Sequence, residues 1–270
     1  MKPLVLMRGG GDIASGAVYR LWRAGYPVVI NEIAIPTMIR REVSYGNAVH
    51  MGEMILERLV ARHVSVDEIT DTLATGVIPV VTCSYEELLA AIKPDIVVDG
   101  ILAKRNLGTK RLDAPFVIGI GPGFSAGHDV NVVIETMRGH YLGRCIYDGE
   151  AEPNTGIPGN VGGYTHERVI HSPKSGLFTA KRHIGDSVQA NEVIGYVDDE
   201  PVRAKINGIL RGILKSGLMV SDHFKLADVD ARCEESHCYS ISDKSLAVGG
   251  GVLEAVTAWD YERNRDANYI

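Results

Sequence analysis

The stretch LVLMRGGGDIASGAVYRLWRAGYPVVINE, Leu4–Glu32, decides the fold. Leu4 to Met7 is an apolar run that predicts a strand, and Ala17, Val18, Leu21 and Trp22 then recur at helical spacing until Gly25. Pro27 to Ile30 predicts a second strand, with Glu32 just beyond its end. The βαβ unit so formed carries a GxGxxA turn running from Gly9 through Gly10 and Gly11 to Ala14. Glycines there let backbone N–H groups approach a phosphate at the helix N-terminus, and Glu32 lies near the offset of a ribose-binding carboxylate. One reading is an NAD(P)-type nucleotide site. The other is a plain tight βα turn, since Asp12 sets a carboxylate where a pyrophosphate would sit.

Beyond the second strand, Arg40 and Arg41 read either as anion contacts or as a solvated basic pair. The alternation resumes at Val66, with a helix over Asp67–Leu73 and a strand over Val77–Val81. Ser84 and Glu87 form a capping box that opens a helix to Ile92. Ile96 to Val98 is another strand, ended by Asp99-Gly100. The expected architecture over residues 1–168 is α/β, a Rossmann-like, mostly parallel sheet. Ligands of such sheets collect beyond the carboxyl ends of the strands.

A second glycine turn, Gly121-Pro122-Gly123, follows the β-branched run Phe116–Ile120. Val130–Met137 and His140–Tyr147 then predict a hairpin turned at Arg138-Gly139. Glu135 and Arg144, taken singly, fit solvent-facing strand positions. Taken with the glycines, the polar residues mark a working surface: His128 and Asp129 as candidate catalytic groups, and Gly121, Gly123, Arg138, Asn154 and Thr155 as candidate ligand contacts. No pair has a metal-ligand spacing, and no metal is expected.

Residues 169–232 change character, to short strands with turns at roughly 8–12-residue spacing. Ile184-Gly185-Asp186, Val193-Ile194-Gly195 and Ala204-x-Ile206-x-Gly208 resemble the barrel-sandwich (hammerhead) domains related to biotinyl and lipoyl carriers. The presenting hairpin reads Asp198-Asp199-Glu200-Pro201, without a lysine, so the module is expected to be structural. Residues 233–270 form a C-terminal segment whose helix, through Gly249-Gly250-Gly251, is expected to pack back closely on the α/β domain. Cys238 beside His237 is a candidate reactive thiol, with a buried inert cysteine as the other reading.

The chain has 270 residues and a net charge of −6, without a basic stripe, which argues against a nucleic-acid partner. No apolar run approaches the roughly 18 residues of a membrane span, so no membrane partner is expected. Four cysteines show neither a disulfide framework nor a zinc pattern, and a cytoplasmic setting is expected.

Three motifs together carry a family resemblance: RGGGDIASG with the later IRR, IGIGPGFSAGHDVNVVIETMRGHYLG with NTGIPG, and ISDKSLAVGGGVLEA. They resemble the selenium-dependent molybdenum hydroxylase accessory proteins, the YqeB family, over nearly the whole chain. The resemblance implies a maturation factor whose partners are a molybdenum hydroxylase apoprotein and a small anionic cofactor. That cofactor would be molybdenum cofactor or its nucleotide conjugate. Gly9 to Gly11 and Gly121 to Gly123, with Arg40, Arg41 and Arg138, would supply N–H donors and guanidinium forks for it. The alternative is an NAD(P)-dependent oxidoreductase using the N-terminal βαβ unit, with homo-oligomer formation left open.

Overall fold

The structure is a computed structural model that describes residues 2–267. The chain divides into two units. An α/β unit holds the residues up to Pro36, Ser44–Asn154 and those from Ile241 on, and a β unit holds Thr37–Val43 and Thr155–Ser240.

The α/β unit begins with β1 (Val5–Arg8), α1 (Asp12–Arg23) and β2 (Val28–Asn31). There follow α2 (Ala48–Met51), β3 (Glu53–Leu56), β4 (Leu59–His63), α3 (Ile69–Ala74), β5 (Ile78–Val81), α4 (Tyr85–Ile92) and β6 (Ile96–Asp99). Next come β7 (Phe116–Ile120), β8 (Ser125–Ala126), β9 (Val132–Ile134), β10 (Cys145–Ile146) and β11 (Gly149–Glu150), and the unit closes with α5 (Asp243–Ala267). Nine strands form one sheet in the order β10-β9-β7-β6-β1-β2-β5-β4-β3, and β8 pairs with β11 apart from it. Every residue of β2, β5, β6 and β7 is buried, as befits strands covered on both faces.

The expectation of a Rossmann-like, mostly parallel sheet with a small barrel-sandwich module is corrected here. The large sheet is mixed: β3 pairs antiparallel with β4 at one end, and β10 with β9 at the other. The β3–β4 hairpin closes through Glu57 and Arg58, both left-handed at φ 51° and 66°, the backbone of a two-residue primed turn. No helix lies between β6 and β7 or between β7 and β9, so the regular βαβ alternation stops after β6. In the β unit the strands make two four-stranded antiparallel sheets instead of the small barrel-sandwich module expected.

Those sheets are built from β12 (Val169–His171), β13 (Gly176–Ala180), β14 (Ser187–Val188) and β15 (Val193–Val197), with β16 (Glu200–Arg203), β17 (Gly208–Ile213), β18 (Leu218–Val220) and β19 (Lys225–Asp230). One runs β12-β19-β17-β14 and the other β16-β15-β13-β18. Phe178, Ile194, Leu210, Ile213 and Leu226 form their common core, joined by Ile39 from the Thr37–Val43 segment. The Ile213 N–H donates to the Ile39 carbonyl at 2.9 Å, which fixes that segment to β17.

Helix α5 lies against α1 at backbone contact. A Cβ on Gly249 would stand 2.4 Å from the Gly16 carbonyl oxygen, and one on Gly251 2.0 Å from that of Gly143. Two of the three consecutive glycines in this helix thus have a steric reason. Among the described residues no helix is long and apolar enough to cross a membrane.

Candidate functional site

The parallel register brings the carboxyl ends of β4, β5, β2, β1, β6, β7 and β9 to one edge of the large sheet. Arg8 stands level with Asn31 and Asp99, and Asp99 level with Gly119. Both glycine turns, Gly9–Gly11 after β1 and Gly121–Gly123 after β7, therefore open on the same edge.

The chain itself closes over much of that edge. Asp99 is 2% exposed, and its Oδ2 accepts from the Thr109 hydroxyl at 2.6 Å and from Arg8 Nη1 at 3.3 Å. Arg8 also donates to Thr109 Oγ1 at 2.7 Å and to the Leu107 carbonyl at 3.0 Å, and its guanidinium lies over the Tyr85 ring. Tyr85 in turn donates to Asp113 at 2.8 Å. Segment 100–113 is thereby strapped across the glycine turns. A Cβ on Gly9 would meet the Ile101 backbone at 3.2 Å, and one on Gly123 the Arg105 backbone at 2.6 Å. Glycine is required at both, since their φ angles are +92° and +108° as well. Within the strap Leu102 and Lys104 are left-handed at φ 60° and 64°, a conformation that side chains rarely adopt.

Glu32 does not face a ribose. Its Oε2 accepts the Gly10 N–H at 2.8 Å and its Oε1 the Ile33 N–H at 2.8 Å. Burial pushes its carboxyl above the usual range, against the lowering effect of those two hydrogen bonds. The donor that the fingerprint would offer a pyrophosphate is thus occupied by the protein's own carboxylate. Gly11 caps α1 without a side-chain bond, and Asp12 begins that helix.

An open pocket of about 600 Å³ lies at the same edge, lined by His63, Ser65, Glu68, Thr82 and Cys83 over Val64, Val66 and Val81. His63 ends β4 and Thr82 follows β5, and their Nε2 and Oγ1 are hydrogen-bonded at 3.2 Å. Ser65 and Glu68 are fixed by a capping box that starts the next helical turn. Burial pushes the Cys83 thiol up, and nearby Glu87 adds to it. Among the described residues no three His, Cys, Asp or Glu side chains gather as metal ligands.

The remaining candidates are dispersed. His128 Nδ1 lies 3.0 Å from Asp129 Oδ1, and Asp129 Oδ2 accepts the Ser125 N–H. Both precede Asn131, whose N–H donates to the carbonyl of Val117 at the start of β7, so they sit toward the amino edge, away from the glycine turns. Arg138 forms a two-bond fork with Asp243 at 2.8 and 2.9 Å. Asn154 and Thr155 are exposed. In the β unit Arg40 pairs with Asp228, and Arg41 Nε donates to the Ile213 carbonyl at 3.0 Å. Cys238 is 1% exposed, its Sγ 3.9 Å from the Leu210 carbonyl, and burial pushes its thiol up.

No protein-family profile matches the chain. YqeB of Escherichia coli is 46% identical over 254 residues, which span 94% of this chain and 47% of that protein. The chain thus spans about half the length of its curated relative. Among solved structures it is similar to the product-bound ectoine utilization protein EutE of Ruegeria pomeroyi, at 12% identity and a TM-score of 0.26 over 84% of this chain and 85% of that one. A succinylglutamate desuccinylase/aspartoacylase from Rhodobacter sphaeroides matches at 15% identity and 0.26, over 84% and 85%. At that score neither fold nor chemistry transfers.

The functional expectation is corrected on the chain's own contacts. The Gly10 donor is taken by Glu32, Arg138 by Asp243, Arg40 by Asp228 and Arg41 by a backbone carbonyl. Sequence reasoning missed His63 and Thr82, because hairpin β3–β4 lacks a recognisable turn motif. It also missed the pairing of Arg8 with Thr109, for which long-range geometry is the only signal.

Proposed function

We propose that this chain, which belongs with YqeB over its 254 aligned residues, binds a small molecule at the carboxyl edge of its mixed sheet. The pocket at the ends of β4 and β5 is the observation that supports this reading. Its volume of about 600 Å³ lies within the range of small-molecule sites. Its position, beyond the carboxyl ends of parallel strands, is where open α/β sheets hold ligands. Three valines give it an apolar floor, and the His63–Thr82 pair gives it a directed polar group. The ligand class that fits is a compact, partly apolar molecule with a hydrogen-bonding head. A bulky polyphosphate does not fit, since the lining holds the Glu68 carboxylate and neither lysine nor arginine.

Amide chemical-shift mapping of the full chain against a library of small polar heterocycles and hydroxylated metabolites tests this. Shifts should cluster on residues 63–68 and 81–83 and be lost in Thr82→Val. Hits confined to other segments, or a Thr82→Val protein that responds like the parent, would overturn it.

A further inference from the structure

Arg211 is turned into the β unit by a break in strand register. Along β17 the ladder with β19 matches Leu210 to Val229 and then Gly212 to Asp228, so Arg211 is the extra residue of a β-bulge. Regular alternation would put Leu210 inside and Arg211 outside. Here both are buried, at 0% and 8% exposure. Bulges re-aim side chains and occur often beside functional sites.

The side chain so buried is only partly satisfied. Arg211 Nη1 reaches Asp230 Oδ2 at 3.3 Å, but Nε is buried without a hydrogen-bond partner. Across the bulge, Asp228 accepts from Arg40 Nε at 3.1 Å and from Arg168 Nη1 at 3.3 Å, in both cases through Oδ2. Its Oδ1 is a buried acceptor with no partner. Gly212 leaves that oxygen room, because a Cβ there would stand 2.6 Å from it. Burial and the neighbouring Arg40 cation both lower the Arg211 pKa, as expected where guanidinium groups crowd. A charged donor and a carboxylate acceptor thus stand unsatisfied at one bulge, and buried polar groups are rarely left so.

We infer that the bulge is a binding site for a protonated phosphate, free or esterified. Arg211 Nε donates to a phosphate oxygen, and the phosphate O–H donates to Asp228 Oδ1. Sulfate carries no proton at neutral pH and answers only the first group, so the site prefers phosphate. This site lies within the β unit and does not depend on the pocket proposed above.

The test is thermal unfolding of the full chain at about pH 6, where phosphate monoesters are partly protonated, with phosphate and sulfate at matched ionic strength. Phosphate should raise the melting temperature at several-fold lower concentration than sulfate, and Arg211→Gln should abolish the difference. Methyl phosphate matching inorganic phosphate identifies an esterified group as the ligand, and inorganic phosphate acting alone identifies the free ion. If Arg211→Gln does not fold, phosphorus NMR line broadening of phosphate by the parent protein, relieved by methyl phosphate or more phosphate but not by sulfate, decides the matter. Equal responses to both anions, no response, or a response kept in Arg211→Gln overturns the inference.

Discussion

The α-carbon of Gly16 on α1 faces the carbonyl oxygen of Ser245 on α5, and a Cβ built there would stand 2.2 Å from it. Since that oxygen belongs to the backbone, relief requires the helices to part. Gly249 makes the reciprocal contact, with its Cβ direction 2.4 Å from the Gly16 carbonyl oxygen. Gly16→Ala or Gly249→Ala should therefore lower stability by roughly 1–3 kcal/mol, the usual cost of overpacking. This holds despite the helical advantage of alanine, about 1 kcal/mol. Gly250 has nothing within 4 Å, so Gly250→Ala should be neutral or stabilising by up to about 1 kcal/mol. Urea unfolding of the three variants checks the contrast in sign. A destabilised Gly250→Ala beside a tolerated Gly249→Ala would remove the packing account.

The parts of the fold written in local pattern were legible in the sequence. The β1–α1–β2 opening follows from apolar spacing and Gly25, and α4 starts at Tyr85 because the Ser84 hydroxyl accepts the Glu87 N–H at 3.2 Å. Close packing of α5 follows from helix glycines that would otherwise be a net cost. Of the sheet's two antiparallel ends, the β9–β10 pairing was legible as a hairpin and the β3–β4 pairing was not. Glu57-Arg58 adopts left-handed angles without the Asn-Gly or Asp-Gly that announces such a turn, so the sequence from Ile55 to Val64 reads as ambiguous between helix and strand. The predicted turn at Arg138-Gly139 is instead a longer loop over residues 135–144, held by the buried carboxylate of Glu135, which accepts the Met137 and Glu152 N–H groups.

Of the candidate site, the shared edge of the two glycine turns was legible, since each turn follows an apolar strand. What occupies that edge was not. Arg8 and Thr109 are 101 residues apart, and no period or motif links them. The arginines expected to meet a ligand were indistinguishable, by sequence alone, from arginines that pair with Asp243 and Asp228.

The Arg138–Asp243 fork is one such case. Its side chains are 44% and 72% exposed, so screening and side-chain entropy hold its worth to roughly 0–1 kcal/mol. Arg138→Ala should lower stability by no more than that, and the loss should shrink in about 1 M salt, where the Debye length is about 3 Å. A double-mutant cycle with Asp243→Ala measures the coupling. A loss well above 1 kcal/mol that persists in high salt would show that Arg138 supports the start of α5 through packing.

Asp230 gives the acid dependence of the β unit. Burial alone would raise its carboxyl pKa, but the Arg232 side-chain and backbone hydrogen bonds, with the Arg232 and Arg211 charges, hold it down at about 2. A carboxyl whose folded pKa lies below its unfolded value of about 3.9 stabilises the fold above that value, and the contribution is lost as pH falls toward the folded pKa. Stability should therefore decline as pH drops from about 4 toward about 2. Asp230→Asn should be less stable at neutral pH, because Arg211 and Arg232 lose their charged partner. The same variant should show a shallower acid limb, with the remaining slope carried partly by Asp228. That carboxyl is also held low, since Arg40 and the other cations around it outweigh the effect of its burial. Urea midpoints measured across this pH range for parent and variant decide it. An acid limb of unchanged steepness in Asp230→Asn would assign the titration to other carboxylates.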